Sequence, residues 1–241
     1  MTAIMTALGV IGLLAVIVVL HEFAHVLAAL LRGYKLKLLY IGIPLKDINF
    51  MGKKRSTILW KTEKNGVEYG VSWLILGGGV DFYEKPDAPW WDMTIIALAG
   101  PIMNLALAFG AFALVAGPKV AFDMTVLTTS VLWAGLVNVF TPQGVAALIG
   151  PVGFVSGSVA LVQGSATNWL IYWALINMAL FIFNLMPIPA LDGGHILLSF
   201  IIAVFGEKVK KPAEKISYIF LVGLCVLMVL VMLKDVILLF V

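Results

Sequence analysis

The sequence predicts an α-helical polytopic membrane protein with about four transmembrane helices. A membrane-associated β-hairpin or small sheet is expected between the first two, and re-entrant or interfacial helices between the second and third. Three observations carry this reading. Of 241 residues, 62% are hydrophobic and only 12% charged, and the mean hydropathy is +1.06, far outside the range of soluble globular chains. Four runs, about 3–31, 93–116, 169–188 and 216–240, reach the roughly 20 apolar residues that a crossing needs. Lys and Arg are clustered: ten of sixteen lie between Arg32 and Lys85, four between Lys208 and Lys215, and none from Val120 to Glu207. Basic loops stay in the cytoplasm, so both clusters are expected there and both termini outside.

The first run has no basic residue before it and no clean small-residue cleavage site after it, which favours a retained helix over a secretory leader. Residues 34–89 mix β-branched and aromatic residues with turn signals. Asn65-Gly66 followed by Val67-Glu68-Tyr69-Gly70-Val71-Ser72-Trp73 is a hairpin signal; the segment reads as a small amphipathic sheet on the membrane surface or, more sharply, as a sheet whose strand at Glu68 to Leu76 offers an edge to a substrate. Gly77, Gly78 and Gly79 would let another backbone approach closely. The second run crosses back. From Met124 to Gly164 the chain is apolar but broken by Pro142, Gly144, Gly150, Pro151, Gly153 and Gly157; irregular backbone is not tolerated against lipid, so helices packed on the protein are expected there, without a fifth crossing. Little chain remains for a separate soluble unit, so a single membrane-embedded domain over 1–241 is expected. The net charge of +3 is too small to suggest nucleic acid, and with Cys225 as the lone cysteine neither an intramolecular disulfide nor a cysteine metal cluster can form.

His21-Glu22-Phe23-Ala24-His25 is an HExxH motif inside the first apolar run. On a helix the i, i+4 spacing sets both imidazoles on one face about one turn apart, where two nitrogens can share one zinc ion. Glu22 projects beside them and can act as general base toward a water held there. A carboxylate within a spanning helix costs roughly 2.5–3.5 kcal/mol on insertion scales unless it has a partner or meets water, and packing alone gives no reason to accept that cost. Catalytic zinc takes three protein ligands and keeps one position open. The third candidate is Asp192, in the segment Asn184 to His195 at the cytoplasmic end of the third run. It is the sole acidic residue between Asp123 and Glu207, and two prolines before it break the helix and open a cavity. Asp192 as a mere cap of a helix starting at Gly193 is the plainer alternative. His195 is a rival ligand, otherwise structural or supporting. Asn184, two turns before Asp192 if the helix persists, could bond a substrate backbone or an oxyanion, or simply another helix. Asn104, in Gly100-Pro101-Ile102-Met103-Asn104, reads as a packing residue.

HEFAH in the first run, GPIMN opening the second and NLMPIPALDGGH in the third resemble, in order, the core motifs of the site-2 proteases, which are intramembrane zinc metalloproteases. Tyr34 to Val80 is similar to the β-hairpin region that bacterial members place after the first span, and Gly150-Pro151-Val152-Gly153 resembles a segment before their third. The resemblance implies one Zn2+ per chain on His21, His25 and Asp192, Glu22 as catalytic base, and Asn184 near the substrate. It further implies regulated cleavage of single-span membrane proteins, such as anti-sigma factors, signal-peptide remnants or pheromone precursors; a bacterial inner membrane is the expected location, and the basic clusters put the site toward its cytoplasmic side. Many bacterial relatives carry PDZ domains between the second and third spans; the mostly apolar 117–168 is too short to encode one.

Two other classes compete. A zinc transporter would also place histidines and carboxylates in the membrane, but along a path through both leaflets, whereas these cluster at one end. A catalytically silent membrane-protein binder would not need an intact Glu22.

Overall fold

The computed structural model describes residues 3–42, 48–50, 53–72, 78–83, 85, 88–139, 141–146, 148 and 151–238. The first helix, α1 (Ala3–Leu31), is one uninterrupted apolar rod of 29 residues. At 1.5 Å per residue it is roughly 44 Å long, enough to cross a hydrocarbon core of about 30 Å. The next long helix, α2 (Trp90–Ala116), runs back along it. The two are joined at one end by ions: the Asp92 carboxylate, fully buried in the first turn of α2, accepts from Nε of Arg32 at 2.7 Å and pairs with Nζ of Lys85 at 3.4 Å. Its place at a helix N-terminus also suits its charge.

Among the described residues between α1 and α2 lie six strands: β1 (Leu36–Ile41), β2 (Ile48–Phe50), β3 (Lys53–Arg55), β4 (Ile58–Lys64), β5 (Val67–Ser72) and β6 (Gly78–Phe82). The hairpin expected at Asn65-Gly66 is present; both residues have positive φ, 54° and 76°, the conformation that a two-residue turn between twisted strands demands. The edge expectation is corrected. The main sheet has the order β4-β5-β1-β6, so β5 is an inner strand, paired antiparallel with β4 and parallel with β1. The edges among the described strands are β4 and β6, and β6 lies against α1. The reason is a long-range pairing, Leu38 with Glu68 through Ile41 with Val71, that no local turn signal announces. Residues 73–76 of the strand read at Glu68 to Leu76 lie outside the described residues.

After α2, Gly117 turns the chain with φ 80° and Pro118 opens α3 (Pro118–Asn138), an unbroken 21-residue helix. Where interfacial or re-entrant helices without a fifth crossing were expected between the second and third runs, α3 is continuous and long and apolar enough to cross, because the breaking residues start at Pro142, after it has ended. Five helices among the described residues are therefore long and apolar enough to cross a membrane, the other four being α1, α2, α6 (Ala166–Asn184) and the C-terminal rod that ends in α8 (Lys210–Leu238). Two short helices, α4 (Pro142–Ala146) and α5 (Pro151–Val162), precede α6, and α7 (Asp192–Phe205) follows it. The core lies where α2, α3 and α6 meet, around Ala108, Phe112, Ala121, Ala174 and Met178. A second cluster, Val10, Val162 and Tyr172, ties α1 to α5 and α6.

Candidate metal centre

His21 and His25 are buried on the face of α1 that meets α2, with ring centroids 4.7 Å apart. Their Nε2 atoms are 3.1 Å apart. Room for both rings depends on Gly100 of α2: a Cβ there would overlap Nε2 of His25 and sit 2.5 Å from Cε1 of His21. On the far side of each ring a group of α2 holds Nδ1. His25 Nδ1 donates to the carbonyl oxygen of Ile96 at 2.7 Å, and His21 Nδ1 lies 3.1 Å from Nδ2 of the fully buried Asn104.

Asp192 arrives by a different route. Helix α6 stops at Asn184, earlier than the expected 188, because Pro187 and Pro189 follow and the residue before a proline resists the helical conformation. Ala190 then takes a left-handed φ of 81°, costly for a residue with a Cβ, and α7 begins at Asp192. Gly193 and Gly194 have no room for a Cβ: each lies against carbonyls of the loop just traversed, those of Leu185 and Met186 for Gly193 and that of Ile188 for Gly194. A 2.7 Å contact between the hydroxyls of Thr94 and Ser199 holds α7 to α2. The N-cap position of α7 is Leu191, which makes no side-chain cap bond, and the Asp192 side chain turns to the histidines, with Oδ2 3.1 Å from Nε2 of His21 and Oδ1 3.4 Å from Nε2 of His25. Burial by itself would raise its pKa; the adjoining imidazoles of His21 and His25 outweigh burial and lower it to about 2.

The structure thus brings together His21, His25 and Asp192, whose ligand atoms all lie within 4.8 Å of one another. These residues fit a zinc ion. Bonds of about 2.0–2.1 Å in a tetrahedron set neighbouring ligand atoms about 3.3 Å apart, and the three separations here are 3.1, 3.1 and 3.4 Å. Asp192 Oδ2 is buried with no well-aligned donor, only the His21 imidazole beside it, a costly state for a carboxylate oxygen that a cation would relieve. Glu22 is half-buried on the adjoining face and close enough to His25 to interact with it electrostatically. His195, one turn beyond Asp192, is exposed and outside the ligand cluster. Asn184, the last residue of α6, is separated from Asp192 by a loop; the helix does not persist between them. Gly78 and Gly79 pair with Ile41 and Tyr40 in β6, and Gly77 lies outside the described residues. Sequence reasoning missed Ile96 and Gly100 as walls of this site and read Asn104 as packing; the signal available was Gly100 and Asn104 at i, i+4, on one face of α2.

The profile of peptidase family M50 matches residues 9–230, from α1 into α8, and so takes in HEFAH, the Gly100 to Asn104 segment and Asp192. The chain belongs to peptidase family M50. Over 109 residues this M50 chain is 35% identical to zinc metalloprotease RasP of Oceanobacillus iheyensis, a match covering 45% of the chain and 25% of RasP. Over 71 residues it is 37% identical to protease RseP of Photorhabdus luminescens, covering 30% of the chain and 31% of that protein. The matched parts are a third or less of either relative's length.

Proposed function

We propose that this M50 chain is an intramembrane zinc metallopeptidase of the site-2 type, hydrolysing peptide bonds within or next to transmembrane segments of membrane-anchored, single-span substrates. The observation that carries the reading is the convergence of the HExxH imidazoles and Asp192, at spacings that suit zinc, inside a bundle of apolar helices. His21, His25 and Asp192 would hold one ion per chain. When bound, zinc supplies Lewis acidity, polarising the scissile carbonyl and acidifying water.

The remaining chemistry belongs to the chain. Glu22 takes the proton of the attacking water and delivers a proton to the departing amine, so one carboxylate serves both halves of the hydrolysis. The helical bundle restricts bulk water around the buried histidines. A helical substrate must unwind before it is cut, and unwound backbone in lipid costs several kcal/mol per unpaired group unless something pairs with it. Strand β6 is the source of partners we assign: it is a sheet edge and lies against the helix that carries His21 and His25. Gly78 and Gly79 would permit close passage, and Asn184 would bond the extended chain beyond. The whole of 1–241 acts as one membrane-embedded domain in a bacterial cytoplasmic membrane, with the site toward the cytoplasm.

The deciding experiment is Glu22→Gln in detergent-solubilised protein presented with a panel of single-span substrates. Cleavage is expected to vanish while zinc content stays at one per chain. Undiminished cleavage would remove Glu22 from the reaction.

A further inference from the structure

The two histidines are held in different ways. Ile96 offers His25 a carbonyl, which can only accept, so Nδ1 of His25 carries the proton and its Nε2 keeps a lone pair. Asn104 offers His21 an amide, which has a donor end and an acceptor end. With Nδ2 3.1 Å from His21 Nδ1, that nitrogen must accept, and the proton of a neutral imidazole then sits on Nε2, where it blocks a metal. The other end of the same amide, Oδ1 of Asn104, is buried without a hydrogen-bond partner. A half-turn of the amide sets Oδ1 against Nδ1, which then carries the proton and leaves Nε2 bare.

We propose that Asn104 is a positioning residue whose amide orientation sets the tautomer of His21, donating to Nδ1 in the metal-free site and accepting from it in the loaded one. The exchange moves one proton from Nε2 to Nδ1 and changes no charge. An amide suits both states; a carboxylate would serve only the loaded one, and an apolar side chain neither. Partners of metal-bound imidazoles commonly contribute 10–100-fold in metal affinity. This inference rests on the metal assignment proposed above.

The test is zinc affinity by competition with a chromogenic chelator, in detergent, for the wild type, Asn104→Leu and Asn104→Asp, with thermal unfolding of each metal-free protein as a check on folding. Asn104→Leu is expected to weaken zinc binding about 10–100-fold. Asn104→Asp, which can only accept, is expected to bind at least as tightly as the wild type. If Asn104 merely joined α1 to α2, Leu would be tolerated and a buried carboxylate would be the worse change, so that order of affinities would overturn the proposal. Where the variants do not fold, nitrogen-15 NMR of the wild type, which has three histidines, replaces them. His21 Nδ1 is expected to change from unprotonated to protonated on adding zinc, with His25 Nδ1 protonated throughout; His21 Nδ1 protonated in both states would overturn the proposal. A wild type that takes up no zinc would instead sink the metal assignment itself.

Discussion

Nδ1 of His25 donates to the carbonyl oxygen of Ile96 at 2.7 Å, across 71 residues of chain. This bond turns Nε2 of His25 toward Nε2 of His21 and Oδ1 of Asp192. The second helix therefore does more than pack against the first: its backbone aims an imidazole.

With both rings aimed from α2, the carboxylate from α7 completes the triangle. Asp192→Asn exchanges an anionic oxygen donor for a neutral amide and is expected to remove most of the bound zinc. His195→Ala, at an exposed position outside the cluster, is expected to leave zinc near one per chain. Metal analysis of the purified variants reads both, and full occupancy in the Asp192 variant would move the third ligand elsewhere.

Gly100→Ala is the mildest change that should empty the site without altering any ligand. Alanine is favoured over glycine in a helix by up to about 1 kcal/mol, so α2 itself should gain. The new methyl would nonetheless overlap the ring of His25 and press on that of His21. Zinc affinity is expected to fall at least about tenfold, and thermal stability to fall with it, because overpacking a close helix contact costs roughly 1–3 kcal/mol, more than the helix itself gains. Retention of wild-type affinity would mean that α2 can withdraw from α1.

The register that places Gly100 opposite the histidines is pinned at the helix ends by Asp92. Asp92→Asn leaves Arg32 and Lys85 without their anion. Both cations are more than a third exposed and can turn to water, so the full 3–5 kcal/mol of a broken buried pair does not apply. A loss of about 2 kcal/mol, the value of hydrogen bonds to a charged group, is expected in unfolding from mixed micelles. No measurable loss would show that helix packing alone sets the register.

The basic segment that holds Arg32 and Lys85 predicts an orientation in the membrane. A reporter fused near Lys53 is expected to read cytoplasmic, and one at Gly117, at the other end of α2, extracytoplasmic. The opposite pair of signals would put the metal centre toward the other face.

What could be read from the sequence was what local geometry determines. His21 and His25 were legible because four residues of helix bring them together whatever surrounds them, and Asp192 because an isolated carboxylate after two prolines in an apolar run has few other uses. The hairpin at Asn65-Gly66 was legible for the same local reason. Ile96, Gly100 and Asn104 were not, because their relation to the histidines depends on the register between antiparallel α1 and α2. The inner place of β5 depends likewise on its parallel pairing with β1, made across the insert. Helix α3 was hidden by proximity: the prolines and glycines after Asn138 made the whole connection look irregular, although the stretch before them is continuous.

The inner place of β5 also moves the test of strand addition to β6. Backbone N–H groups alternate in direction along a strand. That of Phe82 turns to its neighbour Asp81 Oδ1 at 2.9 Å and that of Tyr83 to Lys35 on the β1 side, so the N–H of Val80, two residues before Phe82, points away from β1, toward the edge that no described strand covers. Val80→Pro removes this donor and keeps the pairing side intact, an arrangement that edge strands tolerate. Cleavage is expected to fall about tenfold or more, the 1.4 kcal/mol or so of one lost main-chain bond, with zinc content and thermal unfolding unchanged. Asp81→Pro is the contrasting variant: its N–H faces β1, so it should loosen the sheet and lower stability. Substrates with helix-breaking residues near the scissile bond should be cut faster than leucine-rich ones, because less helix must be undone before the strand forms. Should Val80→Pro cleave at the wild-type rate in well-folded protein, the extended substrate is not held by β6, and Asn184 with the loop before Asp192 becomes the place to look.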